Sequence, residues 1–200
     1  MPDPPAGRFS QHFEYGQPRS VPIERFPYFR AAVTSDPLEL AALDRPQVPE
    51  PARAGAGGVD CAGCTAHDPE SLWTDRHWRV FAFDEPQPLF IVLVSPREHY
   101  QELPDLPPEL AAELGPLLAR IETALRSLGD VGNVHTHKWG DGGAHLHLWM
   151  FVRPLGMLQA RGVALPVWSR ALPPLPAEAW RAAGRDFAQA MASGGGTAHR

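Results

Sequence analysis

The sequence of 200 residues contains only two cysteines, too few for the disulfide framework that stabilises many small secreted proteins. It has no apolar stretch approaching the roughly 18 residues that a membrane-spanning helix needs. The N-terminus lacks the positively charged segment and the apolar run of a signal peptide. The net charge of -5 gives no support for a general nucleic-acid or membrane surface. We therefore expect a cytoplasmic protein that binds neither nucleic acid nor membrane.

Proline and glycine, in contrast, are abundant, with 23 prolines and 18 glycines. Many of the prolines fall in the first fifty residues, and the segment 49–58 has the Pro, Gly and Ala content of a linker. The length and the 44% hydrophobic content are sufficient for one domain with a buried core. We expect a Pro-rich extension and linker over 1–58, a folded domain over 59–193 and a loose tail over 194–200.

Hydrophobic periodicity predicts both helices and strands in the domain. The predicted strands are 78–83, 89–94, 131–139 and 144–152, and the predicted helices are 108–128 and 176–192. The glycine-rich turn 140–143 favours an antiparallel hairpin of the last two strands. Gly115-Pro116 predicts a kink or a fresh start within the first helix.

One short stretch, Gly-Gly-Ala-His-Leu-His-Leu-Trp at 142–149, is the most informative part of the sequence. In an extended strand, alternate side chains share a face, so His145, His147 and Trp149 would lie on one side. Two residues of strand span about 7 Å. That distance lets one imidazole hold a metal ion while the other does chemistry beside it.

Two other features have more than one interpretation. Cys61 and Cys64 form a C-x-x-C, which in a cytosolic protein indicates metal or redox chemistry. Gly140, Gly142 and Gly143 permit a close backbone approach, so their N–H groups could hold a phosphate. Glycine is equally expected in an ordinary hairpin turn.

A second pair of histidines, His135 and His137, alternates on the strand predicted to pair with the first. Four histidines on one hairpin indicate a cationic phosphate pocket, a second metal site, or simply polar residues on an outer sheet face. A register that places this pair opposite His145 and His147 would favour the metal.

The order of these features resembles the histidine triad superfamily, the nucleotidyl hydrolases and transferases that include galactose-1-phosphate uridylyltransferase. Those proteins carry an H-x-H-x-H or H-x-H-x-Q strand, many have P-K-E-H-Y after an earlier strand, and zinc-bearing members have an upstream C-x-x-C. Over about 61–154 this chain has the C-x-x-C, then Ser-Pro-Arg-Glu-His-Tyr at 95–100, a long helix, a strand, a glycine turn, His-x-His-x-Trp at 145–149 and Arg153-Pro154. The resemblance implies an α+β, HIT-like fold with a mainly antiparallel sheet, a long helix and often a homodimer. The C-terminal helix predicted above would complete it.

Carried over residue by residue, the resemblance implies a structural zinc ion held by Cys61, Cys64, His99 and His145. It also implies that His147 is the nucleophile. The expected activity is that of a nucleotidyl hydrolase or transferase acting on a nucleoside phosphate ester, anhydride or phosphoramidate. The reaction would pass through a nucleotidyl-histidine intermediate.

The residues expected to bind a small-molecule nucleotide lie on the predicted hairpin. The resemblance suggests Asn133 as the pocket asparagine of the family. Arg153 either pairs with phosphate or anchors the strand end, and Trp149 either stacks on a base or closes the pocket. The full set is Asn133, His135, His137, Gly140, Gly142, Gly143, Trp149 and Arg153.

The chain departs from the family pattern at two positions. Trp149 stands at the third triad position, and Asp141 lies in the phosphate-holding turn, where a carboxylate repels phosphate unless it is protonated, turned away or bridged by metal. Both departures favour an alternative, a catalytically lost zinc protein that binds a nucleotide or partner. A third hypothesis is a hydrolase whose four hairpin histidines share a catalytic metal.

Overall fold

The computed structural model describes residues 14–25 and 32–199, and its contacts divide the chain into two units, Met1–Ala52 and Arg53–Arg200. In the first unit, β1 (Arg19–Val21) pairs antiparallel with β2 (Leu38–Leu40). A 3-10 turn, Ile23–Arg25, follows β1.

The second unit is built on a six-stranded antiparallel sheet. Its strands are β3 (Trp73–Thr74), β4 (Trp78–Ala82), β5 (Ile91–Pro96), β6 (Val131–His137), β7 (Leu148–Pro154) and β8 (Thr197–Ala198). Their spatial order is β6-β7-β5-β4-β3-β8. The helices are α1 (Ala62–Thr65), α2 (Pro108–Ser127), α3 (Ala164–Ala171) and α4 (Ala177–Ala192), with 3-10 turns at Ala56–Gly58, Asp68–Glu70, Leu103–Asp105 and Leu158–Ala160. The predicted α+β class is confirmed.

The main core lies between one sheet face and the two long helices. Apolar residues at helical spacing give α2 and α4 each a buried stripe, which packs against inward-facing side chains of β4, β5 and β7. The core includes Val80, Val92, Met150, Ile121, Leu125, Trp180, Phe187 and Met191. The interruption predicted at Gly115-Pro116 does not divide α2, which is one helix with Pro116 inside. Buried residues on both sides of Pro116 hold the helix together despite the backbone donor that proline lacks.

The opposite sheet face carries a smaller core that the sequence did not predict. Helix α3 and the 3-10 turn before it cover part of this face, where Leu165 packs with Ile91 and Phe151. The segment is hard to recognise from sequence because α3 is only eight residues long and contains Pro166, a residue that usually ends a helix. Within the described residues, no helix combines the length and the apolarity needed to cross a membrane.

The predicted hairpin is correct in its pairing and wrong in its turn. Strands β6 and β7 pair antiparallel, but a loop of residues 138–147 joins them, so His145 and His147 precede β7 instead of lying in it. The loop hydrogen-bonds elsewhere: the Leu146 N–H donates to the Tyr100 carbonyl (2.6 Å) and the Ala144 N–H to that of Ala54 (2.8 Å). These bonds replace the ladder to β6 that a tight hairpin would have formed.

Residues on both sides of the expected boundaries at 58 and 193 make backbone contacts within the second unit. Residues 53–58 belong to the second unit, and Ala54 forms a parallel bridge with Gly143. The segment expected as a loose tail contains β8, which pairs with β3. The Trp73 Nε1–H donates to the carbonyl of Gly195 and attaches the same segment to the sheet.

Candidate functional site

Three segments bring four metal-binding side chains together. Cys61 caps the single-turn helix α1, whose first turn carries Cys64, and the backbone N–H of Cys64 donates to the Cys61 carbonyl (3.1 Å). His99 follows the end of β5, and His145 comes from the loop before β7. All four candidate ligand atoms lie within 4.8 Å of one another. The fold therefore assembles the set that the resemblance implied.

The distances in this Cys2His2 cluster are those of a tetrahedral metal site. Nδ1 of His145 lies 3.3 Å from Sγ of Cys61 and 3.7 Å from Sγ of Cys64. The corresponding distances from Nδ1 of His99 are 3.5 and 3.4 Å. In a tetrahedron with metal–sulfur bonds of about 2.3 Å and metal–nitrogen bonds of about 2.0 Å, sulfur and nitrogen are about 3.5 Å apart. The four side chains thus fit a metal ion.

Hydrogen bonding and burial hold His145 in the form that binds metal. Its Nε2–H donates to the carbonyl of Pro96 (2.9 Å), which leaves Nδ1 with a free lone pair facing the thiols. Burial lowers the pKa of His145, against the opposing effect of that hydrogen bond, so the neutral ring is favoured. Burial and the neighbouring Cys61 raise the pKa of Cys64. A bound cation would favour both thiolates.

A buried arginine hydrogen-bonds to the C-x-x-C turn, a contact that the sequence did not predict. Arg79 of β4 donates from Nη1 to the Gly63 carbonyl (3.0 Å) and from Nε to Asp68 (3.3 Å). Arg97 donates to the other oxygen of Asp68 (3.0 Å). Burial alone would raise the pKa of Asp68, but the hydrogen bonds and charges of the two arginines outweigh it and lower the pKa. The available signal was a charged residue inside a buried strand, which needs a partner.

Gly63 allows the close approach of His145 to the turn. A Cβ at position 63 would lie 2.6 Å from both Cγ and Nδ1 of His145, a separation that real structures do not tolerate. We expect Gly63→Ala to displace the imidazole and to weaken metal binding about 10- to 100-fold, the range for disturbed outer contacts of a metal site. Competition with a colorimetric chelator measures this.

The matched control for that substitution is Gly115→Ala in α2. A Cβ there meets open space, so metal affinity should not change. Because alanine is the better helix former, stability should rise by about 0.5–1 kcal/mol. Equal metal affinity in the two alanine variants would show that Gly63 has no part in placing His145.

His147 lies next to the cluster and is held in a defined tautomer. Its Nδ1–H donates to the backbone carbonyl of His145 (2.8 Å), which leaves the lone pair on Nε2. A side chain at Gly143 would come within 3.6 Å of Cε1 of His147, so the glycine turn runs close beside the ring. This arrangement provides an imidazole nitrogen that can act as a nucleophile beside a turn rich in backbone N–H groups.

The other predicted histidines face aromatic side chains. The register places His135 opposite Phe151 and His137 opposite Trp149, so neither lies opposite His145 or His147. The four-histidine metal site is therefore not formed. In residues 14–25 and 32–199, the sole group of His, Cys, Asp and Glu placed to hold a metal is the Cys2His2 cluster.

An aromatic group extends from His147 along the same sheet face. The ring of Trp149 lies 6.1 Å from His147 and 5.8 Å from Trp139, which stacks on His137 at 4.7 Å. Burial lowers the pKa of His137, and burial together with the charges of His137 and Arg153 lowers that of His135. Nε2 of each is buried without a hydrogen-bond partner. These are neutral rings in an apolar setting.

Two of the predicted substrate residues lie away from His147. Asn133 pairs with Arg153 in the register, four residues along the strands from His137 and Trp149, which is roughly 13 Å. Arg153 donates to the carbonyl groups of Pro154 (3.2 Å) and Met157 (3.4 Å). Its position matches the interpretation in which it anchors the strand end. Asn133 accepts a hydrogen bond from Arg126 (3.1 Å).

The glycine turn is tied to a segment that was predicted to be linker. The Ala54 N–H donates to the Gly142 carbonyl (3.1 Å), and Nη1 of Arg53 donates to the Gly140 carbonyl (3.0 Å). Gly140 has a φ of 71°, which suits glycine better than any residue with a side chain. These two hydrogen bonds hold the glycine turn in place without a bound ligand.

Comparisons with known proteins bear on the fold of the chain. No protein-family model and no curated protein matches the sequence. A histidine triad protein from Marinobacter aquaeolei VT8 matches in structure at 23% identity and a TM-score of 0.50, over 62% of this chain and 88% of that chain. A histidine triad (HIT) protein from Sinorhizobium meliloti 1021 matches at 17% identity and a TM-score of 0.50, over 60% of this chain and 87% of that chain.

A Zn-bound histidine triad family protein from Mycobacterium smegmatis also matches, at 20% identity and a TM-score of 0.43, over 66% of this chain and 94% of that chain. The metal site described above rests on the four side chains of this chain and not on that likeness. At these identities the similarity concerns the backbone. On the basis of the Marinobacter and Sinorhizobium structures, the fold of this chain is that of the histidine triad proteins.

Proposed function

We propose that the protein is a nucleotidyl hydrolase or transferase in which His147 is the nucleophile. The observation that carries the proposal is the hydrogen bond from Nδ1–H of His147 to the His145 carbonyl, which directs the free lone pair to Nε2. The substrate would be a nucleoside phosphate ester, anhydride or phosphoramidate. The neighbouring turn, with Gly142 and Gly143, would supply backbone N–H groups to the phosphoryl oxygens.

The reaction would take place in two displacements. Nε2 of His147 attacks the α-phosphorus, a P–N bond forms, and the bond to the leaving group breaks with its electron pair on that group. Water or an acceptor hydroxyl then attacks the same phosphorus and loses its proton to solvent, while the P–N bond breaks and Nε2 regains its lone pair. Nδ1–H stays bonded to the His145 carbonyl throughout, which stabilises the positive charge on the ring in the intermediate.

We propose zinc as the metal held by Cys61, Cys64, His99 and His145. Two thiolates and two neutral imidazoles make a closed set whose two negative charges balance a zinc(II) ion, and it leaves no open position for substrate. The ion would join the C-x-x-C turn to the end of β5 and to the loop that carries His147. Its contribution is therefore structural.

The proposed setting of the protein follows from the same residues. Two cysteines that serve as thiolate ligands require a reducing compartment, and we place the protein in the cytoplasm. We also propose a homodimer, as in the family that the sequence resembles. Among the described strands β6 pairs only with β7, which leaves one edge of the sheet for a second copy. Light scattering tests this.

A panel of nucleotides tests the activity. Adenosine and guanosine phosphoramidates, dinucleoside polyphosphates and nucleotide sugars are incubated with zinc-loaded protein, and products are separated by chromatography. We expect turnover of at least one class, with a nucleoside monophosphate as product. Folded, zinc-loaded protein that turns over none of these classes would contradict the proposal.

A second candidate function is nucleotide binding without catalysis. The observation that favours it is the packing of Trp149, which stands at the third triad position and lies 5.7 Å from Phe83 and 5.9 Å from Phe151. An aromatic ring in that position provides no group to protonate a leaving group. Calorimetric titration that shows tight nucleotide binding, together with no product in the panel, would establish this function.

A further inference from the structure

Two cations and one carboxylate meet beside the glycine turn. Nη1 of Arg53 lies 2.7 Å from Oε1 of Glu102, and Nζ of Lys138 forms an ion pair with Oε2 of the same carboxylate. The side chains of Arg53 and Lys138 are 27% and 26% exposed, so both cations are partly buried. Their hydrogen bonds, that of Lys138 first, lower the pKa of Glu102. The Glu102 carboxyl is therefore ionised at neutral pH.

This group is attached to the same turn that borders His147. Arg53 donates to the Gly140 carbonyl, and a Cβ at Gly140 would lie 3.3 Å from Nζ of Lys138. Gly143, which borders the ring of His147, is three residues further along, so its Cα lies within about 11 Å of that of Gly140. The cations and the candidate nucleophile therefore flank one short turn.

Glu102 occupies the position that an anion would take between the two cations. An arginine and a lysine that converge on one carboxylate have the geometry to bind a phosphate, and arginine binds it with two N–H groups. Two cations against one carboxylate leave an excess positive charge within the group. Asp141 on the same turn is exposed, so solvent and salt screen its charge more than those of the half-buried cations.

We propose that Arg53 and Lys138 form a subsite for phosphate groups beyond the one that His147 attacks, with Glu102 as an internal counter-ion that these phosphates displace. The inference rests on the proposed function and names its substrate class: nucleoside or dinucleoside polyphosphates, in preference to phosphoramidates with an uncharged leaving group. Glu102 keeps the two cations in place and lowers the affinity for free inorganic phosphate.

Binding of inorganic tripolyphosphate, measured by calorimetry on the zinc-loaded chain, tests the subsite. We expect the double variant Arg53→Gln/Lys138→Gln to bind at least tenfold more weakly than the wild type. We expect Glu102→Gln to bind several-fold more tightly, because the counter-ion is gone. Arg185→Gln is the matched control, since Arg185 also pairs with a glutamate, Glu178 at 3.2 Å, but on α4, and it should bind as the wild type does. Zinc content and circular dichroism confirm that each variant is folded.

Kinetics separate failure of this inference from failure of the proposed function. With the double variant, the KM for a dinucleoside tetraphosphate should rise at least tenfold relative to the KM for an adenosine phosphoramidate. Suppose that the wild type turns over both substrates, and that the double variant has the same KM ratio and the same tripolyphosphate affinity as the wild type. That result would overturn the subsite but not the proposed function. No turnover by the wild type, with tripolyphosphate binding lost in the double variant, supports the subsite and overturns the nucleotidyl chemistry.

Discussion

Replacing His147 by alanine is expected to reduce turnover of the best nucleotide substrate by about 1,000-fold or more. The reason is that the first bond of the proposed reaction forms at Nε2 of this ring, and loss of a covalent nucleophile removes a whole step and not one contact. The substitution is not expected to disturb the metal site, because His147 is not one of the four candidate ligands and its hydrogen bond to His145 goes to the backbone carbonyl and not to the ring. Product formation by chromatography, at saturating substrate, measures the effect.

The matched control is His67→Asn, which changes a histidine that lies three residues after Cys64 and outside the metal cluster. It should keep full turnover. Acid quenching with labelled nucleotide adds an independent readout, since a P–N adduct should accumulate on wild-type protein and be absent from His147→Ala. Full turnover by a folded His147→Ala protein would exclude the nucleophile, and absence of the adduct from the wild type under single-turnover conditions would point the same way.

Loss of the metal is expected to have the largest effect on stability. If the ion is present at about 1,000 times its dissociation constant, its binding contributes about 4 kcal/mol to the free energy of unfolding. For a chain of this size, each kcal/mol corresponds to about 2–4 °C in Tm, so removal of the metal by a strong chelator should lower Tm by about 8–16 °C. Cys61→Ser should have a similar effect, because Cys61 is buried between the two histidine ligands.

Scanning calorimetry and elemental analysis check this prediction together. Wild-type protein and His67→Asn should each contain one equivalent of zinc and lose stability on chelation, whereas Cys61→Ser should contain none and be insensitive to the chelator. A Cys61→Ser protein with one bound zinc and an unchanged Tm would refute the metal site. Refolding after addition of zinc distinguishes loss of the ion from irreversible damage.

The two predictions are linked through His145. Its ring belongs to the metal cluster, and its backbone carbonyl fixes the tautomer of His147. If the cluster became disordered, the ring of His145 would no longer be held as a metal ligand, and its carbonyl would no longer be held in place to accept the hydrogen bond from His147. We expect chelation to reduce turnover even at temperatures where the protein remains folded, although the ion itself contacts no substrate.

Much of the architecture could be predicted from local sequence. Helical spacing in α2 and α4 corresponds to stripes that the fold buries, and burial on one face is what creates such a period. Helix α3 was not predicted, because eight residues span little more than two turns and the proline among them argues against a helix. The strand expected over 144–152 began four residues too early, because partners distant in sequence, Ala54 and Tyr100, hold the loop before β7.

The sequence by itself determined which side chains can do chemistry. The spacing of Cys61 and Cys64, and the alternation of His145 with His147, restrict the chain to a few kinds of site before any fold is known. Spacing alone could not choose among metal, redox and phosphate chemistry. These motifs depend on residues that are close in sequence, so the backbone geometry of a turn or strand already relates them.

Only the tertiary structure decided which of these residues work together. It brings His99 to the two cysteines, places Arg79 beneath Gly63, and puts His135 and His137 among aromatic rings and not beside a metal. It also places Arg53 and Ala54, from a segment with the composition of a linker, in hydrogen bonds with the glycine turn. Such contacts join residues separated by tens of positions along the chain. They depend on sheet register and loop packing, which no local sequence pattern specifies.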